Sequence, residues 1–433
     1  MPKEKIKTFS SKKLKINSQL IEPNALTVLK ILQQANFKAF LVGGAVRDLL
    51  LGKTPKDFDI VTNAYPEQVR KIFKSNSLII GRRFKIVHVY FKVLNETRSK
   101  KYNKNIYCRQ IIEVATFRSN HTNDKDLSAQ GRLIVDNNYG SLLEDAYRRD
   151  FTINAFYYDP IAQVIIDQHD GIKDIENKQL KIIGNVSLRY KEDPLRIIRA
   201  IRLSAKLNLT IERNTLIGFE GAKHLLIYEP KARLFEESLK ILMSNNVTQI
   251  INDIYQLALP NSCFPLFNML KVVINNSQSF ENYIFAKVQH RINNNEDVSV
   301  IFLLAALLWN QIYPAWVTHI DYSSNQEIAL KDICQNLLLK LVKKIGISVN
   351  IYRHIVALYM FQFHFISLDK KQLHDVENNR KFRQAWHLYS MRKQFYSPNS
   401  KKLVWWSQYI EAGLKQREKL LKASSAKLIF KDI

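Results

Sequence analysis

The sequence predicts an α+β head followed by an all-helical neck, body and tail, and three observations carry that prediction. Ten of the 12 glycines lie at or before Gly221, so tight turns and close backbone approaches are confined to the first half. The second half has long Leu/Ile/Lys/Asn stretches with few breakers, which suits helices. The 433 residues are 46% hydrophobic and 11% aromatic, enough for well-filled cores and against wholesale disorder.

The elements follow in chain order. Residues 1–20 are polar and basic and read as a flexible arm. Apolar residues at helical spacing predict a helix over 24–35 behind an Asn24 cap. A short strand over 37–42 ends in Gly43-Gly44, a helix resumes over 45–51, and Gly52 stops it. Residues 58–61 read as a strand with Asp57 and Asp59 at its entrance, and 66–73 as an amphipathic helix. Strands over 84–91 and 110–116 flank a polar basic insert, 93–109. The Asn/Asp/Ser-rich stretch 119–140 is a loop, 142–158 a helix, and 170–184 a turn-rich connector. Helices dominate from Pro194, and the apolar run 298–309, too short to span a bilayer, reads as a core helix. The resulting organisation is an arm (1–20), a head (21–160), a neck (161–245) and a body with tail (246–433).

Charge narrows the partners. The chain carries 65 Lys+Arg against 39 Asp+Glu, a net charge of +26. Such an excess over a folded chain points to a polyanion, nucleic acid ahead of membrane. Cys108, Cys263 and Cys334 are few, odd in number and far apart, which argues against disulfides or zinc and fits a reducing cytoplasm. The N-terminus has no apolar stretch of the kind a secretory signal needs.

Two clusters carry chemistry. In LVGGAVRDLLLG (41–52), a strand running into Gly-Gly and a helix is a way to bring backbone N–H groups to a phosphate, with Arg47 in reach; alone, the pair is equally a tight turn. In KDFDIV (56–61), strand alternation puts Asp57 and Asp59 on one side and Phe58 and Ile60 on the other. Paired carboxylates repel unless a cation lies between them, and oxygen donors of this type select Mg²⁺. Together the clusters indicate a nucleoside triphosphate bound through Mg²⁺ and phosphoryl or nucleotidyl transfer. A third acid has two candidates, Glu113 within the apolar IIEVAT and Asp150 within EDAYRRDFTIN, and sequence physics leaves both open.

GGAVRDLLLG, KDFD, RRDFTIN, DGIKDIENKQLKIIGN, YKEDPLRIIRAIRLSAKL and ARLFEE, in this order, resemble the nucleotidyltransferase family of bacterial poly(A) polymerases and tRNA CCA-adding enzymes over about residues 24–242. The resemblance implies a polymerase-β-like head, two Mg²⁺ ions (Mn²⁺ as a substitute), RNA 3′ ends and ATP as partners, and an association with RNA-decay proteins. It implies that Asp57, Asp59 and Asp150 are the catalytic acids, with metal held by Asp57 and Asp59; Glu113 stays a candidate further ligand from its place in IIEVAT alone. Gly43, Gly44, Arg47, Asp48 and Arg149 then match the triphosphate-binding positions, and Asp193 and Arg196 the segment that reads the incoming base. Locally, Asp193 caps a helix starting at Pro194, and Arg196 lies three residues on beside it; Arg199 and Arg202 continue a basic strip toward phosphates.

IIGRRFKIVHV (79–89) resembles the poly(A) polymerase branch, where CCA-adding enzymes more often have Gly-x-x-His-Gly-Thr; here Val89 follows His88. Arg82 and Arg83 supply positive charge for triphosphate or RNA. The expectation is template-independent addition of AMP from ATP to RNA 3′ ends, marking RNA for decay, with CCA addition to tRNA as the alternative. Residues 381–406 interleave rings with Lys and Arg in a manner suited to single-stranded RNA, although rings at helical spacing are more often core. The chain stops at KLIFKDI, without the long Arg-rich tail common in the poly(A) polymerases it resembles.

Overall fold

A computed structural model describes residues 6–81, 85–94, 105, 107–119, 138–271, 276–294, 296–320, 326–369, 373–423 and 427–429. They fall in two compact units, Met1–Leu226 and Ile227–Ile433.

The first unit is built on one mixed sheet. Its strands are β1 (Thr8–Ser10), β2 (Ala39–Val42), β3 (Asp59–Thr62), β4 (Ser77–Ile80), β5 (Ile86–Leu94), β6 (Tyr107–Thr116), β7 (Phe156–Asp159) and β8 (Val164–Asp167), in the spatial order β1-β8-β7-β2-β3-β6-β5-β4. Only β3 and β6 run parallel; every other pair is antiparallel. The helices are α1 (Pro23–Gln34), α2 (Gly44–Leu50), α3 (Pro66–Phe73), α4 (Leu142–Arg148), α5 (Gly171–Glu176), α6 (Val186–Glu192), α7 (Leu195–Leu207) and α8 (Arg213–Ala222). Ala25, Val28, Leu29 and Leu32 of α1 are wholly buried. A second cluster joins Val42, Val61, Phe117, Leu142, Ala146 and Tyr157.

Several boundaries differ from the sequence reading, each for a physical reason. The arm is not loose at Thr8–Ser10, because its backbone pairs with β8 and Asp167 N–H donates to the Lys7 carbonyl. Asn24 is not the cap of α1: Glu22 takes that position, Pro23 opens the first turn, and the Asn24 amide donates to Gln110 instead. The helix expected over 142–158 ends at Arg148. Arg149 is extended, Thr152–Asn154 forms a 3₁₀ turn, and Phe156, Tyr157 and Tyr158 enter the sheet, where burial of aromatic rings overrides local helical periodicity. The connector after Asp170 holds α5 and a strand, β9 (Gln179–Leu180), which pairs with β10 (Thr210–Ile211). Both strands flanking the basic insert run further into it than expected, to Leu94 and from Tyr107.

Among its described residues the second unit is helical apart from the short antiparallel pair Ser367–Asp369 and Lys427–Ile429. Its helix Val300–Ile320 contains the apolar run. By length and composition Val300–Thr318 could cross a membrane, but half of that window is buried inside the protein. Trp309 packs edge-on against Tyr359, whose hydroxyl donates to the Ala305 carbonyl, and the Arg392 guanidinium lies 3.8 Å over the Trp309 ring. In the ring-rich stretch 381–406, Phe382, Tyr389 and Trp406 are buried around Phe365, so these rings are core.

Gly171 is fixed by packing rather than by backbone angle. A Cβ on Gly171 would lie 2.4 Å from the Thr152 carbonyl oxygen and 2.8 Å from the Phe156 ring. Gly171→Ala should destabilise the first unit by about 1–3 kcal/mol, read as a lower thermal midpoint. Gly221→Ala, in α8 with nothing within 4 Å, should gain about 0.5–1 kcal/mol.

Candidate active site

The site lies where β2, β3 and β6 run side by side. Register places Val42 opposite Asp59, Asp59 opposite Glu113, and Glu113 opposite His88 on β5. Phe58 and Ile60 are buried, as are Ile112 and Val114, so strand alternation turns Asp57, Asp59 and Glu113 to the open face. Glu113 is therefore not a buried acid: its side chain is half exposed, and its Oε1 lies 3.4 Å from His88 Nε2. The structure sets Glu113 beside Asp59 and puts Asp150 elsewhere.

Asp59 shows the cost of this grouping. Desolvation by the surrounding walls, then the charges of Glu113 and Asp57, push its carboxyl up to about 6 against the opposing pull of Arg149. Three hard oxygen donors that repel one another fit a divalent cation of the Mg²⁺ or Mn²⁺ type. Among the described residues no three His, Cys, Asp or Glu side chains stand close enough to cage an ion as they are; the fit is one of donor chemistry.

At the end of β2 the chain turns through Gly43, whose φ of 68° and ψ of −134° favour glycine. A Cβ there would meet Arg149 Nη1 at 3.5 Å. Arg149 Nε donates to the Tyr157 hydroxyl (3.0 Å) and Nη2 to Asp145 Oδ2 (3.0 Å), while the Tyr157 hydroxyl also donates to Asp145 Oδ2 (2.6 Å). Nη1 makes no hydrogen bond among the described residues, and it is the nitrogen beside the diglycine turn. Burial opposes the Arg149 charge, but Tyr157 and Asp145 outweigh it and hold the guanidinium above its ordinary value. Asp145, on α4 four residues before the extended Arg149 that follows its last turn, was legible as a partner from its spacing; Tyr157, from a central strand, was not.

The Arg47 guanidinium lies against the diglycine turn, its Nη2 3.4 Å from where a Cβ on Gly44 would stand, and it is already engaged by its neighbours. Arg47 is buried, donating from Nε and Nη2 to Asp48 and from Nη1 to Asn154 Oδ1 (2.6 Å). Asn154 in turn donates to Asp150 Oδ1 (3.1 Å), which also accepts from the Phe151 N–H (2.8 Å). Asp150 and Asp193 share Arg199, at 3.9 and 3.7 Å. Asp48, Arg47, Asn154, Asp150, Arg199 and Asp193 thus form one continuous polar chain.

Asp193 does not cap α7 with its side chain, since Pro194 holds the cap position and the Arg196 N–H bonds to the Asp193 carbonyl. The Arg196 guanidinium is buried and donates to the Arg189 carbonyl and to Glu192, so Asp193 and Arg196 are not brought onto one partner. Arg189, which the sequence did not single out, donates to the carbonyls of Arg148 and Arg149 (2.7 and 2.6 Å) and ties α6 to the end of α4. Further along α7, burial lowers the Lys206 ammonium despite the pull of Asp48, and the charges of Arg47, Arg202 and Lys53 add to the lowering. Arg82 and Arg83 lie outside the described residues.

Comparisons with known proteins give the family of the chain. Residues 39–181 match the family model described as "Poly A polymerase head domain", 208–270 that of the "Probable RNA and SrmB- binding site of polymerase A", and 323–428 that of the "Polymerase A arginine-rich C-terminus". The chain is 35% identical to Poly(A) polymerase I of Salmonella typhimurium over 410 residues, 91% of this chain and 83% of that protein. It is 33% identical to Poly(A) polymerase I of Haemophilus influenzae, covering 92% and 86%. A CCA-adding enzyme of Streptococcus mutans is 40% identical over 219 residues, 50% of this chain and 49% of that protein.

The raised Asp59 carboxyl has a signed consequence. Its native value of about 6 exceeds the ordinary 3.8, so its favourable contribution to folding is full below about pH 3.8 and lost as pH rises through 6. In metal-free protein, Asp59→Asn should raise the thermal midpoint at about pH 7.5, with the gain shrinking toward pH 4. A gain that is the same at both pH values would contradict the electrostatic assignment.

Proposed function

The chain belongs to the bacterial poly(A) polymerase and CCA-adding nucleotidyltransferase family and is a nucleotidyltransferase acting on RNA 3′ ends; from that premise we propose that it transfers AMP from ATP to the terminal 3′-hydroxyl without a template. In the step, the RNA 3′-oxygen forms a bond to the α-phosphorus, the bond from that phosphorus to the bridging oxygen breaks, and pyrophosphate leaves with the electron pair. Repetition builds a 3′ tail, which would mark the RNA for decay.

The residues divide the work. Asp57, Asp59 and Glu113 would hold Mg²⁺, which when bound supplies Lewis-acid charge to the phosphate oxygens. The Gly43 turn leaves room for phosphate against the backbone, and Arg149 Nη1, oriented by Asp145 and Tyr157, is the cation placed to receive it. The polar chain through Asp150, Arg199 and Asp193 fixes the far wall, where a ribose and base would be read. Glu113 is our choice for the third acid because the β3–β6 register sets it beside Asp59, whereas Asp150 is engaged by Asn154 and the Phe151 N–H.

One observation favours ATP over the CCA alternative: similarity to proteins named Poly(A) polymerase I runs through 91% of the chain, while similarity to the Streptococcus mutans CCA-adding enzyme stops at half. The segment at His88-Val89 points the same way.

Incubation of the protein with Mg²⁺, labelled RNA and each nucleoside triphosphate separately should yield long ladders with ATP. Ladders as long with CTP, or growth of a tRNA lacking CCA by three nucleotides and no more, would overturn the adenylate reading. Asp59→Ala and Glu113→Ala should both bring extension to background while RNA binding persists. Asp150→Asn should retain extension with a raised KM for ATP; the opposite ranking of Glu113 and Asp150 would reverse our choice. Arg149→Met should raise the KM for ATP about 10- to 100-fold, as expected for one lost charge-assisted hydrogen bond.

A further inference from the structure

We propose that the far ends of β5 and β6 form a docking track for the single-stranded 3′ segment of the RNA, an inference that rests on the reading of RNA 3′ ends as substrate. β3 pairs with β6 only over Glu113–Thr116, and β4 pairs with β5 no further than Val89. Beyond those limits, Tyr90–Leu94 and Tyr107–Ile111 pair only with each other among the described residues, so a two-stranded ribbon runs on past the carboxylates.

Strand alternation decides what this ribbon shows on each face. Tyr90 pairs with Ile111, Lys92 with Arg109 and Leu94 with Tyr107, all in step with the His88–Glu113 pair and so on the same face as the active-site acids. The opposite face is interior near the acids, where Val87, Val89, Ile112 and Val114 are buried and Gln110 accepts from Asn24 of α1; further out it carries the half-buried Phe91 and Val93 and the exposed Cys108. The outward face carries large apolar groups at high exposure, with Leu94 at 45%, Tyr107 at 50% and Ile111 at 43%. Contiguous exposed apolar side chains of this size mark interaction surfaces rather than ordinary solvent-facing strand.

The occupant follows from what is interleaved with them. Lys92 Nζ sits 4.4 Å over the Tyr107 ring and the Arg109 guanidinium 4.4 Å over the Tyr90 ring. Neither cation has a carboxylate partner among the described residues. Alternating rings and unpaired cations are complementary to a chain of bases and phosphates, in a protein of net charge +26. The track is continuous with the catalytic face: from Glu113 to Tyr107 is about 20 Å at roughly 3.4 Å per residue. An RNA lying along it would bring its terminal hydroxyl to the acids and leave its upstream nucleotides on the rings.

The test uses the full chain, a labelled oligoadenylate and no nucleotide, with fluorescence anisotropy read at several salt concentrations. The double variant Lys92→Ala/Arg109→Ala should weaken binding about tenfold or more and reduce the slope of log affinity against log salt by about 1–2. Tyr107→Ala should weaken binding about fivefold or more with the slope unchanged. In extension assays both should raise the KM for RNA and leave the KM for ATP alone, and thermal midpoints should match the parent because these side chains are exposed. Parental affinity and slope in both variants would overturn the track, as would lost extension with unchanged RNA binding, which would place the ribbon's role in the transfer step rather than in holding RNA. Because binding is measured without nucleotide, a chain found to use CTP would leave this result intact, and one using ATP normally with wild-type binding in the variants would defeat the track alone.

Discussion

The candidate site depends on one strand register. β3 and β6 run parallel with Asp59 opposite Glu113, and behind them Ile60, Ile112 and Val114 are sealed in the core with Phe58. A slip of one residue would bury the acids and expose the apolar side chains, so hydrophobic burial fixes the register. That register is kept although desolvation, and then the charges of Glu113 and Asp57, push the Asp59 carboxyl up to about 6. The unfavourable electrostatics is local and is what a divalent cation would relieve, so the same strand pairing that stabilises the head would also serve the metal proposed above.

Around this pair, most polar groups are committed to one another. Tyr157, held in the sheet centre, and Asp145 on α4 both grip Arg149, which leaves a single guanidinium nitrogen at the diglycine turn. Arg47, Asn154 and Asp150 link α2 to the segment after α4, and Arg199 carries that link to Asp193. Arg189 adds a second tie between the neck and the carbonyls of Arg148 and Arg149. A nucleotide meeting these walls would find their side chains already oriented, which limits the ordering cost of binding.

Much of this was legible in the sequence where chemistry and periodicity coincide. The alternation in KDFDIV gave the shared side of Asp57 and Asp59, and the strand–Gly-Gly–helix pattern gave the turn at Gly43. The choice between Glu113 and Asp150 was not legible, because it depends on which strands become neighbours across more than fifty residues. Arg47 looked like an anion ligand by position, yet its partner Asn154 comes from a distant 3₁₀ turn and draws it inward. The helix expected over 142–158 failed for a related reason: the local period favours helix, but Phe156, Tyr157 and Tyr158 are wanted by the sheet. Asp193 and Arg196 have suitable spacing for a shared partner, and the Arg189 carbonyl and Glu192 claim Arg196 first.

Titration of Mn²⁺ into metal-free protein, followed by water-proton relaxation, tests the metal assignment most directly. The account predicts that Asp59→Asn and Glu113→Gln each weaken the tightest binding by more than the roughly tenfold that loss of an outer-shell partner costs, while Asp150→Asn leaves it unchanged. Unaltered binding in Glu113→Gln, or a loss confined to Asp150→Asn, would contradict it.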